Sequence, residues 1–468
     1  MLQRPAQRPS PNPLVVMWRD LAAERTATVP YPPGEHRFSM RRTNRIMDDP
    51  LRTLVDAYER HGPIFTLRIF HHNVVFLLGP AANHHVLVSG AANMSWREGE
   101  LRSLVPFLGD GLLTTDGAYH RTHRRMMLPA FHRERIAAAT AVIEDEVERA
   151  AATLVPGAVV DIYDWVRHLA LRVAMRALFG LDPDRARAGG FDAVDEFEAA
   201  LSFHARSVAG QVARGPGSPY NRVRLARRRL DELLTREIDA RRAGTGLGED
   251  LLSLLVQARD EDGDPLPPGQ VRDEVMTLLF AGHDTTSSTM AFLFYELARN
   301  PELTTDPGIT TQMLIDETLR KYPPAYIGPR RSIEPFEFQG VPVPGGAHIH
   351  YCSWASHHLP DVWPDPDRFD PRRFTPERRA QIEKGAYVPF GGGSRTCIGM
   401  RFGEAEIAII MRAVLSRFRL DLVPGYRLQI RQAPTISPAH GLPMTVRAAA
   451  PAAFLGAAAE PSLPAAAA

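Results

Sequence analysis

The stretch Phe390–Gly399 reads FGGGSRTCIG. Three glycines, Gly391–Gly393, lead to Arg395 and then to Cys397, one of only two cysteines in 468 residues. Glycine reaches positive φ and lets other groups approach the backbone, so this run can bring peptide N–H groups toward something flat or anionic. It is not a phosphate loop, because the GK[ST] ending is missing. The next residues, IGMRFGEAEIAIIMRAVLSRF, are amphipathic at helical spacing. Cys397 therefore stands at the start of a helix, whose positive end would favour a thiolate. A sulfur so placed is a nucleophile or a soft-metal ligand. The plain alternative is a buried structural cysteine, against which stands the dense spacing of Phe390, Gly393, Arg395, Cys397 and Gly399.

That spacing, F-x-x-G-x-R-x-C-x-G, resembles the haem-binding signature of the cytochrome P450 family at all five fixed positions. The resemblance implies that Cys397 is the proximal ligand to the iron of haem b (iron protoporphyrin IX). A thiolate ligand pushes electron density onto iron and favours O–O cleavage. Backbone N–H groups of the loop, which includes Gly391 and Gly399, would hydrogen-bond the sulfur and tune its potential. By the same resemblance Arg395 pairs with a haem propionate, and Phe390 packs near the sulfur and the porphyrin.

Residues 271–299 contain no proline and predict a helix about 42 Å long at ~1.5 Å per residue. In its middle lies AGHDTT, 281–286. A polar Asp-Thr-Thr run in an apolar helix is locally costly, and a kink facing solvent would explain it blandly. The run also resembles the family's oxygen-activation motif, [AG]-G-x-[DE]-[ST]. That match implies that Thr285 sits over the iron, Asp284 relays protons, Gly282 opens room against the haem plane and Ala281 lines the pocket. The chemistry needs such residues because heterolytic O–O cleavage consumes two protons.

ETLR places Glu317 and Arg320 three apart on one helix face. Exposed pairs of this kind contribute only about 0.3–0.5 kcal/mol. Here FDPRRF follows at 369–374, and the arrangement resembles the family's E-x-x-R helix with a second arginine, Arg373. The three would form a buried network holding the cysteine loop. GAYHRTHRRMMLPAF, 117–131, resembles the family's third helix, with His120 and Arg124 at the positions expected to hold a propionate. His120 is equally readable as a surface residue, and His123 is adjacent. Arg330 matches another propionate-binding arginine, with Arg331 its rival. The family's variable segments, roughly 98–115, 198–222, 280–281, 325–328 and 434–437, would line a substrate pocket with Phe107, Phe203, Phe280, Tyr326, Ile327 and Ile436. Leu108 falls in the first of these segments. The lining is apolar, so a lipophilic substrate is expected.

Hydrophobic residues make up 44% and charged residues 23% of the chain, as in globular proteins. A net charge of +1 gives no reason to expect nucleic acid as a partner. Two cysteines exclude a disulfide-rich scaffold and a four-cysteine zinc site, although one Cys352–Cys397 bridge stays open. The longest apolar run near the start is Leu14–Trp18, too short for a signal peptide core or a membrane span, so a cytoplasmic protein is expected. The expected fold is mainly α with minor β, a single-domain cytochrome P450 fold whose long central helix crosses over the haem. Its divisions are a Pro- and Arg-rich lead-in (1–45), the haem domain (46–447) and a disordered Ala/Pro-rich tail (448–468). Short strands are expected at Ile64–Arg68 and Val74–Leu78, joined through FHHN, and at Phe336–Phe338 and His348–Tyr351. Helices are expected at 133–154, 160–180, 190–208 and 219–242. The last is basic and reads as a solvated face or as an anion or membrane-surface contact.

One departure from the family is visible. Only 14 residues separate ARNPE (298–302) from ETLR, where family members usually carry one or two more helices. No flavin or iron–sulfur segment follows 447, so a separate ferredoxin or flavodoxin with its reductase is expected, docking near Arg121, Arg125 and Arg401. The resemblance, covering about 49–447, implies a monooxygenase that inserts one atom of O2 into a lipophilic small molecule. Peroxide-driven chemistry, a ligand-binding haem protein and a haem-free cysteine nucleophile are the alternatives.

Overall fold

The computed structural model describes residues 13–99, 104–184, 192–201, 215, 217–259, 263–433 and 435–449. Its longer helices are α1 (Pro13–Arg25), α2 (Met40–Asp48), α3 (Pro50–His61), α4 (Gly117–Met127), α5 (Arg133–Ala151), α6 (Ile162–Val173), α7 (Ala193–Leu201), α8 (Pro219–Arg242), α9 (Leu251–Gln257), α10 (Pro268–Arg299), α11 (Thr311–Lys321) and α12 (Met400–Leu415). The strands are β1 (Gly34–Glu35), β2 (Ile64–Ile69), β3 (His72–Leu77), β4 (Met94–Ser95), β5 (Val159–Asp161), β6 (Ile327–Ser332), β7 (Phe336–Phe338), β8 (Val341–Val343), β9 (His348–Cys352), β10 (Phe418–Leu422), β11 (Ile430–Arg431), β12 (Ser437–Pro438) and β13 (Pro443–Ala448). The mainly α, minor β architecture is the one the sequence implies.

α10 organises the molecule. Pro268 opens it, where a missing N–H costs nothing, and no later proline interrupts its 32 residues. At ~1.5 Å per residue it runs about 48 Å. It packs against α6, α8, α9, α11 and α12. Its central hydroxyls are buried but satisfied. Ser287 donates to the His283 carbonyl at 2.7 Å and Thr289 to the Thr285 carbonyl at 2.9 Å, while Ser288 reaches the Ile436 carbonyl. Back-bonding of this kind lets polar residues sit inside a helix. Nearer its start, Asp273 accepts the Asp110 N–H at 3.0 Å and Glu274 the Leu112 N–H at 2.9 Å. Gly109 makes the first contact possible: its φ is +77°, and a Cβ there would lie 2.1 Å from the Asp273 carboxyl.

A six-stranded sheet, β1-β2-β3-β9-β6-β4, flanks the helices, with β10-β13-β5 as a second sheet. The expected strands are present, yet the β2–β3 hairpin is tighter than FHHN suggests. Its turn is Phe70–His71 alone, with Phe70 at φ 51°. Pairing extends one residue further on β2 and two on β3, which leaves a two-residue loop that must turn left-handed. The helix expected at 160–180 is preceded by β5 and continues from α6 as a wider turn over Ala174–Leu178. The one expected at 133–154 ends at Ala151, and of 190–208 the described part is α7.

The lead-in is partly ordered structure, since α1, β1 and the start of α2 lie within 13–45. Composition hid this because α1 docks by carboxylates and not by an apolar stripe. Asp20 bonds Arg331 at 3.1 Å and Glu24 bonds Arg68 at 3.0 Å. Of the tail, 450–468 lie outside the described residues. In α8, Arg227 bonds Asp273 at 3.1 Å and Arg241 bonds the Phe179 carbonyl at 3.1 Å, so its inner arginines brace neighbouring elements. The connection 300–310 between α10 and α11 holds only a single 3-10 turn, Pro301–Thr304, and is pinned by an Asp306–Arg372 ion pair. Among the described residues, no helix is long and apolar enough to cross a membrane.

Candidate active site

The glycine run forms a folded hook. Gly391 and Gly393 take φ of +70° and +60°, and a Cβ on Gly393 would lie 2.3 Å from the Leu87 carbonyl oxygen. Only glycine fits there. The Cys397 N–H donates to the Phe390 carbonyl at 2.9 Å, closing the hook just before α12. Cys397 is solvent-accessible although protein crowds its sulfur closely. Burial pushes its thiol up, while the Gly399 N–H and Arg124 pull it down in part. A metal ion at the sulfur would displace its proton. Cys352 is buried in β9 and free, as is Cys397, so no bridge joins them.

α10 has an opening of its own. From Asp273 to Phe294 every residue is buried except Ala281, Gly282 and Thr285. These share one helix face by their i, i+1, i+4 spacing. A Cβ on Gly282 would meet nothing within 4 Å. Thr285 donates its hydroxyl to the Ala281 carbonyl at 2.7 Å. One position on, Thr286 donates to Glu406 Oε2 at 3.4 Å and lies 3.9 Å from where a Gly403 Cβ would be. The helix that Cys397 introduces thus packs directly behind the accessible face. Asp284 points elsewhere: it is 2% exposed and accepts the Thr435 hydroxyl at 2.5 Å.

A cluster of cations rims the site. Arg395 donates to Asp116 Oδ1 at 2.8 Å and to the Thr115 carbonyl at 2.7 Å. Trp96 lies between Arg395 and Arg330, whose guanidinium carbons are 5.2 and 3.4 Å from its ring centre. Burial brings both arginines down to about 10. Burial first, then Arg395 and Arg124, brings His120 down to about 3. Arg124 is lowered by burial and steadied by Cys397. Each of these groups is thus pushed away from its charged form, as expected where buried cations outnumber anions. Two added carboxylates would relieve it.

The rival readings separate by strand geometry. Arg331, pointing to the opposite face from Arg330, donates to Asp20 and the Gly346 carbonyl. His123 turns away from His120 to meet Glu274 at 2.6 Å.

Behind the hook, Glu317 and Arg320 form a fully buried two-point pair at 2.7 and 2.9 Å. Arg320 also donates to the His357 carbonyl at 2.9 Å and the Pro366 carbonyl at 2.8 Å. Glu317 accepts the Asp370 N–H at 2.9 Å and lies 3.5 Å from Arg373. Burial pushes Glu317 up, and Arg320 pulls it back. The pair reaches the hook through a residue that the sequence did not single out. His357 Nδ1 is 3.1 Å from the Arg320 carbonyl, and its Nε2 accepts the Val388 N–H at 3.0 Å. Val388 in turn accepts the Gly391 N–H at 3.1 Å.

The sequence profile described as Cytochrome P450 matches residues 32–306 and 310–440. The chain belongs to the cytochrome P450 family. It is 36% identical over 349 residues to the cyclooctat-9-en-7-ol 5-monooxygenase of Streptomyces melanosporofaciens, covering 69% of this chain and 75% of that one. The cyclooctatin synthase of the same organism is 33% identical over 412 residues, covering 82% and 88%. The solved structure of a retinoic acid-bound cyanobacterial CYP120A1 superposes with a TM-score of 0.78 at 26% identity, covering 90% of this chain and all of that one. This cytochrome P450 is a haem-thiolate monooxygenase, so haem iron, O2, a substrate and redox partners belong to its chemistry.

The residues present fit a haem. A sulfur accessible amid crowding protein, a helix face of small residues left open at Gly282 and an excess of cations are what a flat, iron-bearing dicarboxylate requires. The pocket expectations for this P450 fare unevenly. Phe107 and Phe280 are buried in the main core, with Phe107 6.2 Å from Phe197 and Phe197 6.1 Å from His283. Tyr326 and Ile327 are partly buried beside a second cluster. Ile436 is fully buried in that cluster with Phe292 and Tyr322. Phe203 lies outside the described residues. Trp96, Asp116, His357, Glu406 and Thr435 escaped sequence reasoning, since each owes its place to a long-range contact. Asp116, just before a helix start, carried the one local signal.

Proposed function

We propose that this P450 inserts one atom of O2 into a C–H or C=C bond of a lipophilic, cyclic small molecule, the other atom leaving as water. Haem b bound at the site would supply the binding and activation of O2. Cys397 Sγ would hold its iron, with the Gly399 N–H steadying the sulfur. Arg395, Arg330, Arg124 and His120 would hold its two carboxylates. Phe390 would pack beside the sulfur.

Each turnover consumes two electrons and two protons along with O2. The protons are the task of the α10 residues. Thr285 Oγ1 gives its own hydrogen to the Ala281 carbonyl and keeps its lone pairs for a hydrogen bond from water or a reacting group. Asp284 is buried and accepts the Thr435 hydroxyl, 2.5 Å away, so Thr435 would orient the carboxyl that relays protons. Also near Asp284 is Tyr163, whose hydroxyl is pushed up by burial and by Asp284, with Arg431 3.3 Å from that hydroxyl. Gly282 and Ala281 keep the helix face clear. Electrons would come from a separate ferredoxin or flavodoxin.

The observation that carries this reading is the accessible Ala281–Gly282–Thr285 face on an otherwise buried helix, packed against the helix introduced by Cys397. The substrate class rests on the expected apolar lining and on the similarity to a cyclooctat-9-en-7-ol 5-monooxygenase. The test is turnover of a panel of cyclic alkenes and alkenols with surrogate ferredoxin and reductase under isotopically labelled O2. Labelled product is expected, and Thr285→Ala should consume O2 with much less product per molecule consumed. Product formed only with added peroxide would replace this reading by a peroxygenase, and no turnover at all by a ligand-binding haem protein.

A further inference from the structure

On the far side of β6 from Arg330, the acidic face of α1 meets the β2–β3 hairpin. Glu24 accepts the Asn73 N–H at 2.5 Å and Arg68 at 3.0 Å. One turn earlier, Asp20 is 2% exposed. Its Oδ1 lies 3.1 Å from Arg331 Nη1 and 3.1 Å from His348 Nε2. Its Oδ2 lies 3.2 Å from His71 Nε2. The His71 and His72 rings are 4.6 Å apart, and His72 and His348 4.4 Å apart. One ligand atom from each of Asp20, His71 and His72 lies within 4.8 Å of the others, the one such group among the described residues.

Neutralising a buried aspartate requires one cation, and Arg331 supplies it. Three imidazoles gathered about the same carboxylate exceed that need. They have the chemistry of a borderline-soft metal site, with nitrogen donors and one carboxylate oxygen. The spacing agrees. Zinc–ligand bonds of about 2.0–2.1 Å put tetrahedral donors about 3.3 Å apart, and the His71–Asp20 edge is already 3.2 Å. The remaining edges lie within 4.8 Å.

We propose that Asp20, His71 and His72 bind a divalent transition-metal cation of the zinc type, fastening α1 to the β2–β3 hairpin. His348 and Arg331 hold the aspartate's other oxygen and so orient it, the usual arrangement around a metal-binding carboxylate. The tight Phe70–His71 turn serves this purpose, since it presents two successive histidines to one helix. The site is separate from the cysteine hook and takes no part in oxygen chemistry. Because ligands join two segments, metal binding stabilises the folded state.

The test uses tag-free holoenzyme, stripped with a chelator and titrated with zinc chloride by calorimetry, with X-ray absorption at the zinc edge on the complex. One equivalent should bind, raise the thermal midpoint and show a nitrogen and oxygen shell containing imidazole. His72→Ala should abolish binding, and His348→Gln should weaken it about 10–100-fold, both with an unchanged haem spectrum as the check on folding. Absence of saturable binding by the wild type overturns the proposal. So does a sulfur ligand in the zinc shell, or equal affinity in wild type, His71→Ala and His72→Ala.

Discussion

Replacing Glu406 by glutamine tests the packing of α10 on α12. Glu406 is 3% exposed. Its Oε2 meets only the Thr286 hydroxyl, at 3.4 Å, and among the described residues its Oε1 has no hydrogen-bond partner. Burial raises its carboxyl from the usual 4.5 to about 8. The folded protein thus keeps a proton that the unfolded chain releases. Stability from this group is complete below about pH 4.5 and is lost as pH rises toward 8. Each unit inside that window costs about 1.4 kcal/mol, so between about pH 5.5 and pH 7.5 the loss is about 2.7 kcal/mol. Glu406→Gln has no proton to lose. Guanidinium unfolding of both proteins at the two pH values should show the stability difference moving by about 2–3 kcal/mol in favour of the variant at the higher pH. Parallel pH profiles would refute the reasoning, because they would mean that water reaches the carboxyl and that the seam between the two helices is open.

The buried pair behind the hook gives a second prediction. Arg320→Leu takes from Glu317 its two-point partner and leaves only Arg373 at 3.5 Å, so guanidinium unfolding should show a loss of about 3–5 kcal/mol, whereas a loss below about 1 kcal/mol would mean that Arg373 suffices. His357→Phe removes both of the histidine's hydrogen bonds, at about 2–3 kcal/mol. Haem should then pass to an acceptor apoprotein faster than from wild type, and an unchanged transfer rate would show that His357 does not steady the hook. His357 itself is held neutral down to about 3 by burial and by Arg320. The unfolded chain therefore binds a proton that the folded one refuses. Wild-type stability should fall on acidification below about pH 6.5, and this component should be missing in the variant.

What could be read in advance was whatever local chemistry constrains tightly. The hook announces itself because Gly391 and Gly393 need positive φ and Cys397 is chemically rare. Glu317 and Arg320 are neighbours on one helix turn, and α10 is long because no proline stops it. The unread parts depend on distant partners. Glu406 resembles any acidic residue on an amphipathic helix until α10 covers it. Thr435 has no reason to matter until the chain returns it to Asp284. α1 has no apolar stripe, so its docking through Asp20 and Glu24 could not be seen without the hairpin in place.

The central claim is that Cys397 holds haem iron through its sulfur. The most direct measurement is the absorption spectrum of the purified, reduced protein under carbon monoxide, taken beside Cys397→Ser. Wild type should show a strongly red-shifted Soret band, and the serine variant should lack it. A haem spectrum without that shift in wild type, or the same shifted band in both proteins, would contradict the account.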